Sequence, residues 1–295
     1  MSADKPIDVA GVKVTHPSRV VYPDDNITKG EVAAYYAAVA DRILPGLVNR
    51  PLSMVRCPGG TDSACFFQKH HAAKLGSSVR PIPIEEKEGG EDDYVYIRDR
   101  KGLLQLVQMN TIEFHPWGSR VDRPDSPDRI VLDLDPAPGV AWAAVVEGAR
   151  GIRELLEGMD LDSFVRTSGG KGLHVVVPFR RGPGWQAVKD FCESVADAMV
   201  AHSPERYIAT ASKAQREGKI FIDWLRNARG ATSVCNWSLR ARDGAPVAVP
   251  LRWEELGKIG SGSAFGMQAA LERAQSLRED PWEGMAKLQQ RLPRV

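Results

Sequence analysis

Arg129-Ile130-Val131-Leu132-Asp133-Leu134-Asp135-Pro136 reads as a β-strand closed by proline. Side chains on a strand alternate between faces, so Val131, Asp133 and Asp135 point one way and Ile130, Leu132 and Leu134 the other. Two carboxylates on one face near a strand end repel each other unless one binds a proton or they share a cation. A hard divalent ion with oxygen ligands satisfies both. The bare D-x-D pattern fits two solvated acids before a turn equally well.

A second strand adds a third acid. Lys219-Ile220-Phe221-Ile222-Asp223-Trp224 places Asp223 within an apolar run, where an unpaired carboxylate is costly. It needs either an arginine, with Arg226 and Arg229 in reach along the chain, or a metal shared with Asp133 and Asp135. Three carboxylates can hold two Mg²⁺ or Mn²⁺ ions that clamp an attacking and a leaving oxygen.

Between these strands, Thr167-Ser168-Gly169-Gly170-Lys171-Gly172-Leu173-His174 links Ser163–Thr167 to Leu173–Pro178, both of strand character. Three glycines allow a tight turn with exposed backbone N–H groups. Ser168 adds a hydroxyl and Lys171 a point charge, a set suited to polyphosphate. The spacing is not that of a P-loop, and a strand follows where a helix should. His174 fits either a phosphate or ribose contact or a core histidine bonded to a backbone carbonyl, and His115 has the same two readings. Arg226 and Arg240 are good phosphate forks. From Glu205 to Arg242 there are eight Lys/Arg against three acids, a local basic stretch.

Around these motifs the spacing predicts helices over about Val32–Leu44, Ala141–Leu156, Trp185–Ala201 and Ala264–Ser276. The first follows a Thr28/Glu31 capping box and ends at Pro45-Gly46. Further strands are expected at Pro51–Arg56 and Tyr94–Ile97, with Glu85–Asp93 as an acidic hairpin tip. Strands and helices interleave, so the class is α/β or α+β with a mixed sheet.

The 295 residues suffice for one large or two small domains. With 39 Lys+Arg against 38 Asp+Glu, a wholesale basic coat is excluded but a local groove is not. No apolar run approaches the ~20 residues of a membrane helix, and the polar N-terminus does not read as a secretory signal. Cys57, Cys65, Cys192 and Cys235 form no C-x-x-C pair, so neither a disulfide framework nor a structural zinc site is expected, and the compartment is read as reducing and cytoplasmic.

VLDLDP, TSGGKGLHVVVP and IFIDWLRN, in this order, resemble the polymerase domain of bacterial ATP-dependent DNA ligase D, of the archaeo-eukaryotic primase superfamily, which serves non-homologous end joining. The resemblance runs from Thr15-His16-Pro17-Ser18-Arg19 to the stretch 229–251. It implies a primase-type palm, an RRM-like mixed sheet with flanking helices, joined to an N-terminal α/β portion. The whole of 1–295 is then a single primase-polymerase domain, with portions of about 1–125 and 126–295 packed as one unit.

By the same resemblance, Asp133, Asp135 and Asp223 are the catalytic metal-binding acids. Ser168, Gly169, Lys171 and His174 meet the incoming nucleotide, and His115, Arg226 and Arg240 contact its triphosphate. Phe66 and Phe67 match an aromatic pair that stacks on bases, although core packing would also suit them. Arg19 and Lys29 match a pair that binds a recessed 5′-phosphate, with Arg in place of the usual Lys at the first position.

The implied activity is template-dependent nucleotidyl transfer. NTPs or dNTPs are added to primer 3′ ends at gaps and break ends, with two Mn²⁺ or Mg²⁺ ions. DNA carrying a 5′-phosphate is the expected partner, with Ku and a DNA ligase as possible protein partners. A monomer in the nucleoid-associated cytoplasm is expected. A primase that starts chains de novo and a non-catalytic DNA-end-binding module are the alternatives. No lysine sits in a recognisable adenylation motif, so no ligase activity is expected of this chain. It reads either as a standalone paralogue or as an excised domain.

Overall fold

The computed structural model describes residues 4–86 and 89–293. The chain divides into two compact units. The first comprises residues 1–117, 234–248 and 265–278, and the second residues 118–233, 249–264 and 279–295.

The first unit begins with two small antiparallel ribbons, β1 (Ile7–Val9) with β2 (Val12–Val14) and β3 (Val20–Tyr22) with β4 (Ile27–Thr28). Helices α1 (Lys29–Ala38) and α2 (Ala40–Leu47) follow. The capping box is present: Thr28 Oγ1 accepts from the Glu31 amide, and the Glu31 carboxylate accepts from the Thr28 amide. The expected single helix to Leu44 is broken at Val39, whose φ of −93° and ψ of 6° interrupt the helical path. Pro45 lies inside α2 and does not end it. Its missing N–H would have bonded the carbonyl of exposed Asp41, which water can serve instead.

The sheet of this unit contains β5 (Leu52–Arg56), β6 (Phe66–Gln68), β7 (Val79–Glu85), β8 (Glu91–Ile97) and β9 (Thr111–Pro116). The order is β6-β5-β8-β7, with β9 also pairing β5. Pro81 and Pro83 lie on the edge strand β7, where a missing N–H breaks no interior ladder. The expected hairpin tip is shorter than Glu85–Asp93, because the strands run through Glu85 and resume at Glu91; Lys87 and Glu88 of that stretch lie outside the described residues. Helix α3 (Arg100–Gln108) is capped by Asp99, whose carboxylate accepts from the Gly102 amide at 2.8 Å.

Cys57 and Cys65 form a disulfide, contrary to the expectation from their spacing. The intervening turn brings together two cysteines eight apart that no motif pairs; Cys192 and Cys235 are buried thiols outside that disulfide.

The second unit is built on β10 (Arg129–Pro136), α4 (Trp142–Glu157), β11 (Phe164–Thr167), β12 (Leu173–Pro178), α5 (Trp185–His202), β13 (Tyr207–Ile208), β14 (Ile220–Asp223) and β15 (Pro250–Leu251). Helix α6 (Met267–Ser276) belongs to the first unit. The strand order is β13-β14-β10-β12-β11-β15. Its core, β10-α4-β11-β12-α5-β14, is antiparallel and ordered β14-β10-β12-β11, the RRM-like split βαβ arrangement. β13 adds a parallel edge and makes the sheet mixed.

One sheet face is covered by α4 and α5. Val145, Ala149, Ile152 and Leu156 recur at helical spacing on α4, as do Val188, Cys192, Val195 and Met199 on α5, and all are buried. On the opposite face, Phe164, Val176 and Val131 form a cross-strand row packed under Trp282. The next row toward the β10 C-terminus is polar, and it carries the acids.

Candidate active site

That polar row is Arg166 (β11), His174 (β12), Asp133 (β10) and Asp223 (β14), each opposite the next in register. Directly opposed residues of neighbouring strands lie ~5 Å apart at Cβ, so the alternation of three separate sequence motifs becomes one cluster. Asp135 lies two residues on, opposite Phe221.

Each carboxylate has a cationic neighbour. Arg226 Nε sits 3.0 Å from Asp223 Oδ2 and 3.9 Å from Asp133 Oδ2. Arg216 Nη1 is 3.5 Å from Asp135 Oδ2, with its guanidinium stacked 3.6 Å over the Phe221 ring. Burial raises the Asp223 carboxyl above its ordinary value and the Asp133 charge adds to the rise, against Arg226. Asp135 is raised likewise by burial and Asp133, opposed by Arg216 and Lys171. In both, burial is the larger cause of the rise, and the neighbouring cations oppose it without cancelling it.

Asn227, just after Asp223, finishes the strand ladder. Its side chain accepts from the Val131 amide and donates to the Val131 carbonyl, each at 2.8 Å. This is the pairing β14 would have offered had it continued past Asp223 toward Val131, and it lets the chain turn away while β10 stays bonded.

In the Gly turn, Ser168 Oγ accepts from the amides of Gly170 (3.1 Å) and Gly172 (3.2 Å). Those two N–H groups serve the turn itself, so fewer point outward than the glycine count suggests. Gly169 has φ of +64°. Lys171 is exposed.

The remaining expected residues lie in the first unit. His115 and Glu113 share a face of fully buried β9, with His115 Nε2 2.7 Å from Glu113 Oε2. Arg240 Nε donates to the same oxygen at 2.9 Å, and the Ala241 amide donates to Oε1 at 2.8 Å. Burial would raise Glu113, but the His115 bond, the Arg240 charge and the Ala241 amide outweigh it and hold it at about 2. A carboxyl lowered from 4.5 to about 2 stabilises the fold by roughly 3 kcal/mol. That stability is complete above about pH 4.5 and is lost as pH falls toward 2. Glu113→Gln is expected to destabilise the protein at pH 7 by about that amount, and the difference from wild type should shrink in acid melts between pH 4.5 and 2.

Phe66 and Phe67 are 45% and 71% exposed, so neither packs in a core. The Phe67 ring meets the His115 ring edge-on at 5.8 Å, and the Arg56 guanidinium lies 5.4 Å over Phe66. Arg19 and Lys29 adjoin: the Lys29 amide donates to the Arg19 carbonyl at 2.8 Å, and Arg19 Nη2 bonds Asn110 Oδ1. Lys29 is 3% exposed, and burial, then the Arg19 charge, lowers its amine from 10.5 to about 8. The buried Arg19 Nε has no hydrogen-bond partner among the described residues.

Sequence reading assigned no role to Glu113, Arg166, Arg216 or Asn227. Glu113 and His115 form an E-x-H pair with strand spacing, which is a usable signal. Arg216 appeared only as one of the basic residues of its stretch, and nothing in the sequence distinguishes Arg166.

Among the described residues, the group whose donor atoms all lie within 4.8 Å of one another is His70, Glu86 and Asp92, in the first unit and separate from the three aspartates. Lys69 and Tyr94 already hydrogen-bond Glu86 and hold it at about 2, so an ammonium group occupies part of that charge.

An RRM-like sheet with three acids gathered from two central antiparallel strands, beside a Ser-Gly-Gly-Lys-Gly turn, defines a primase-type palm. The chain belongs to the LigD primase-polymerase domain family, nucleotidyltransferases whose family model matches residues 28–282. It is 39% identical over 285 residues to the multifunctional non-homologous end joining protein LigD of Pseudomonas aeruginosa, covering 96% of this chain and 34% of that protein. It is 26% identical over 264 residues to the bifunctional LigD of Bacillus subtilis, covering 89% and 42%. The chain thus spans less than half the length of these relatives. The polymerase domain of Mycobacterium tuberculosis ligase D, solved in complex with DNA, superposes with a TM-score of 0.87 at 29% identity, covering 94% of this chain and 98% of that one. No helix among the described residues is long and apolar enough to cross a membrane.

Proposed function

We propose that the chain is a template-dependent polymerase that adds ribo- or deoxyribonucleotides to primer 3′ ends at gaps and double-strand break ends, guided by a downstream 5′-phosphate. The observation that carries this reading is the cross-strand set Asp133–Asp223 with Asp135, three carboxylate oxygen donors brought to one face of the sheet, two of them raised by burial and the Asp133 charge. Such a donor set fits Mg²⁺ or Mn²⁺. Asp133, Asp135 and Asp223 would hold the ions, which supply charge neutralisation and an acidified primer hydroxyl when bound. The primer 3′-hydroxyl attacks the α-phosphorus and pyrophosphate leaves.

The chain's own groups do the rest. Arg226, Arg216 and Lys171 supply fixed positive charge for a triphosphate. Ser168 keeps the Gly turn in shape and is the group suited to sensing a 2′-hydroxyl, since both ring nitrogens of His174 face protein side chains. His115 and Arg240 are assigned to the nucleotide by the family resemblance. The exposed Phe66 and Phe67 suit base stacking without sequence preference, as work on arbitrary ends requires. The relatives are non-homologous end joining proteins by name. By likeness we place this chain in the same repair, with gapped DNA, Ku and a ligase as its partners.

Arg19 and Lys29 form the 5′-phosphate site in this reading. Two adjoining cations, one with an unpartnered buried Nε, meet the N-terminus of α1, which itself favours an anion. Extension of a gapped duplex should therefore be faster with a downstream 5′-phosphate than with a 5′-hydroxyl. Lys29→Met should erase that difference while leaving extension on the 5′-hydroxyl substrate near the wild-type rate. The advantage should also fade in wild type as pH rises past about 8, where free Lys29 loses its proton. An equal rate on both substrates at pH 7 would remove the 5′-phosphate from the account.

A further inference from the structure

The row that gathers the acids ends in Arg166. This arginine is 3% exposed, with its guanidinium 5.8 Å from the Trp282 ring centre. Its Nη2 donates to Ser233 Oγ at 3.1 Å, and its Nε donates to His174 Nδ1 at 3.0 Å. A guanidinium only donates, so His174 Nδ1 must accept and its hydrogen must sit on Nε2. That Nε2 lies 3.4 Å from Asp133 Oδ1, on a histidine that is itself only 3% exposed. The other oxygen of Asp133 faces Arg226.

We infer that Arg166 is a positioning residue for the catalytic carboxylate: it locks His174 as an Nε2–H donor and so fixes the orientation of Asp133. This rests on the reading of Asp133 as a metal-binding acid. The physical logic is that of outer-shell partners of a metal site, which orient a ligand without touching the ion and whose loss lowers metal affinity by about 10–100-fold. Buried Val131 and Val176, one row away, keep the strands themselves in place whatever residue 166 is.

Selective ¹⁵N-histidine labelling tests it, since the two ring nitrogens give separate signals that report which one bears hydrogen. The chain has six histidines, and His174→Gln assigns the signal of interest. Wild type should show His174 as Nε2–H, and Arg166→Met should lose that pattern. Mn²⁺ titration of the same two proteins should show binding weakened about 10–100-fold in Arg166→Met, and Arg166→Lys, which can still donate to Nδ1, should recover part of it. The backbone amide spectrum of Arg166→Met confirms folding; if that variant does not fold, Arg166→Leu, which likewise cannot donate to Nδ1, takes its place with the same expected outcomes. A wild-type His174 with hydrogen on Nδ1, or unchanged ring signals or unchanged Mn²⁺ affinity in a folded Arg166→Met, would overturn the inference. None of these readouts needs nucleotide addition, so failure of the polymerase reading would appear separately, as absent extension by a protein whose His174 signals behave as described.

Discussion

Asp223→Asn is expected to lower templated nucleotide addition by more than about a hundredfold, because even outer-shell partners of a metal site cost 10–100-fold and Asp223 would be a ligand. The same substitution should leave the protein at least as stable as wild type. Burial and the Asp133 charge raise the Asp223 carboxyl, so the folded state disfavours its ionised form. A carboxyl whose folded-state pKa is raised loses stability as pH rises and it ionises. Asn removes the charge and keeps an oxygen that can accept from the Leu225 amide, now at 3.0 Å from Asp223 Oδ1. Arg226 is half exposed and is left to water. Thermal melts alongside single-turnover extension check both halves. A folded Asp223→Asn with near-wild-type extension would contradict the assignment, and a lowered melting temperature would mean that the acid is structural. On the expected outcome, lost extension with unimpaired stability, Asp223 would be a site where stability is given up for chemistry.

Gly172→Ala is expected to damage fold and activity together. A Cβ at Gly172 would stand 1.7 Å from the Leu134 carbonyl oxygen, a backbone atom that cannot swing aside. Leu134 lies between Asp133 and Asp135, so relief means moving the strand that carries these two acids or the Gly turn by more than about 1 Å. Forcing such an atom into a packed site costs about 3 kcal/mol or more, and an ångström of misplacement near the chemistry lowers rate by about a hundredfold. Gly182→Ala is the control, since nothing lies within 4 Å of a Cβ there. Melting temperature and extension rate should both fall in Gly172→Ala and neither in Gly182→Ala. Equal behaviour of the two would mean that the turn tolerates a side chain. Here the glycine is demanded by close approach to a neighbouring strand, and not by turn conformation as at Gly169.

The palm was legible because its strands carry strong local patterns. VLDLDP, LHVVVP and IFID show strand alternation or apolar runs bounded by turns, and α4 and α5 lie within a residue or two of their expected limits. The first unit was less legible. Strands β1 to β4 are two or three residues long, too short for periodicity to register. Helix α3 opens on Arg100-Lys101-Gly102, which reads as a turn until Asp99 is seen capping it.

The site divides the same way. Asp133 and Asp135 declare their shared face through strand spacing, but that Asp223 sits opposite Asp133 follows from strand order and register, which no local pattern encodes. The roles of Arg166 and Asn227 arise from neighbours 8 and 96 residues away. Glu113 shows the limit from the other side: a buried acid on a strand, chemically like Asp223, whose partners His115, Arg240 and the Ala241 amide satisfy it without a metal.

Templated addition is measured as extension of a primer across a one-nucleotide gap with a downstream 5′-phosphate, in Mn²⁺. Each of the four template bases is offered in turn against each nucleotide, ribo- and deoxyribo-, with Asp135→Ala in parallel. Addition of the complementary nucleotide is expected on every template, abolished by Asp135→Ala. Addition that ignores the template base, or that persists in Asp135→Ala, would contradict the polymerase reading.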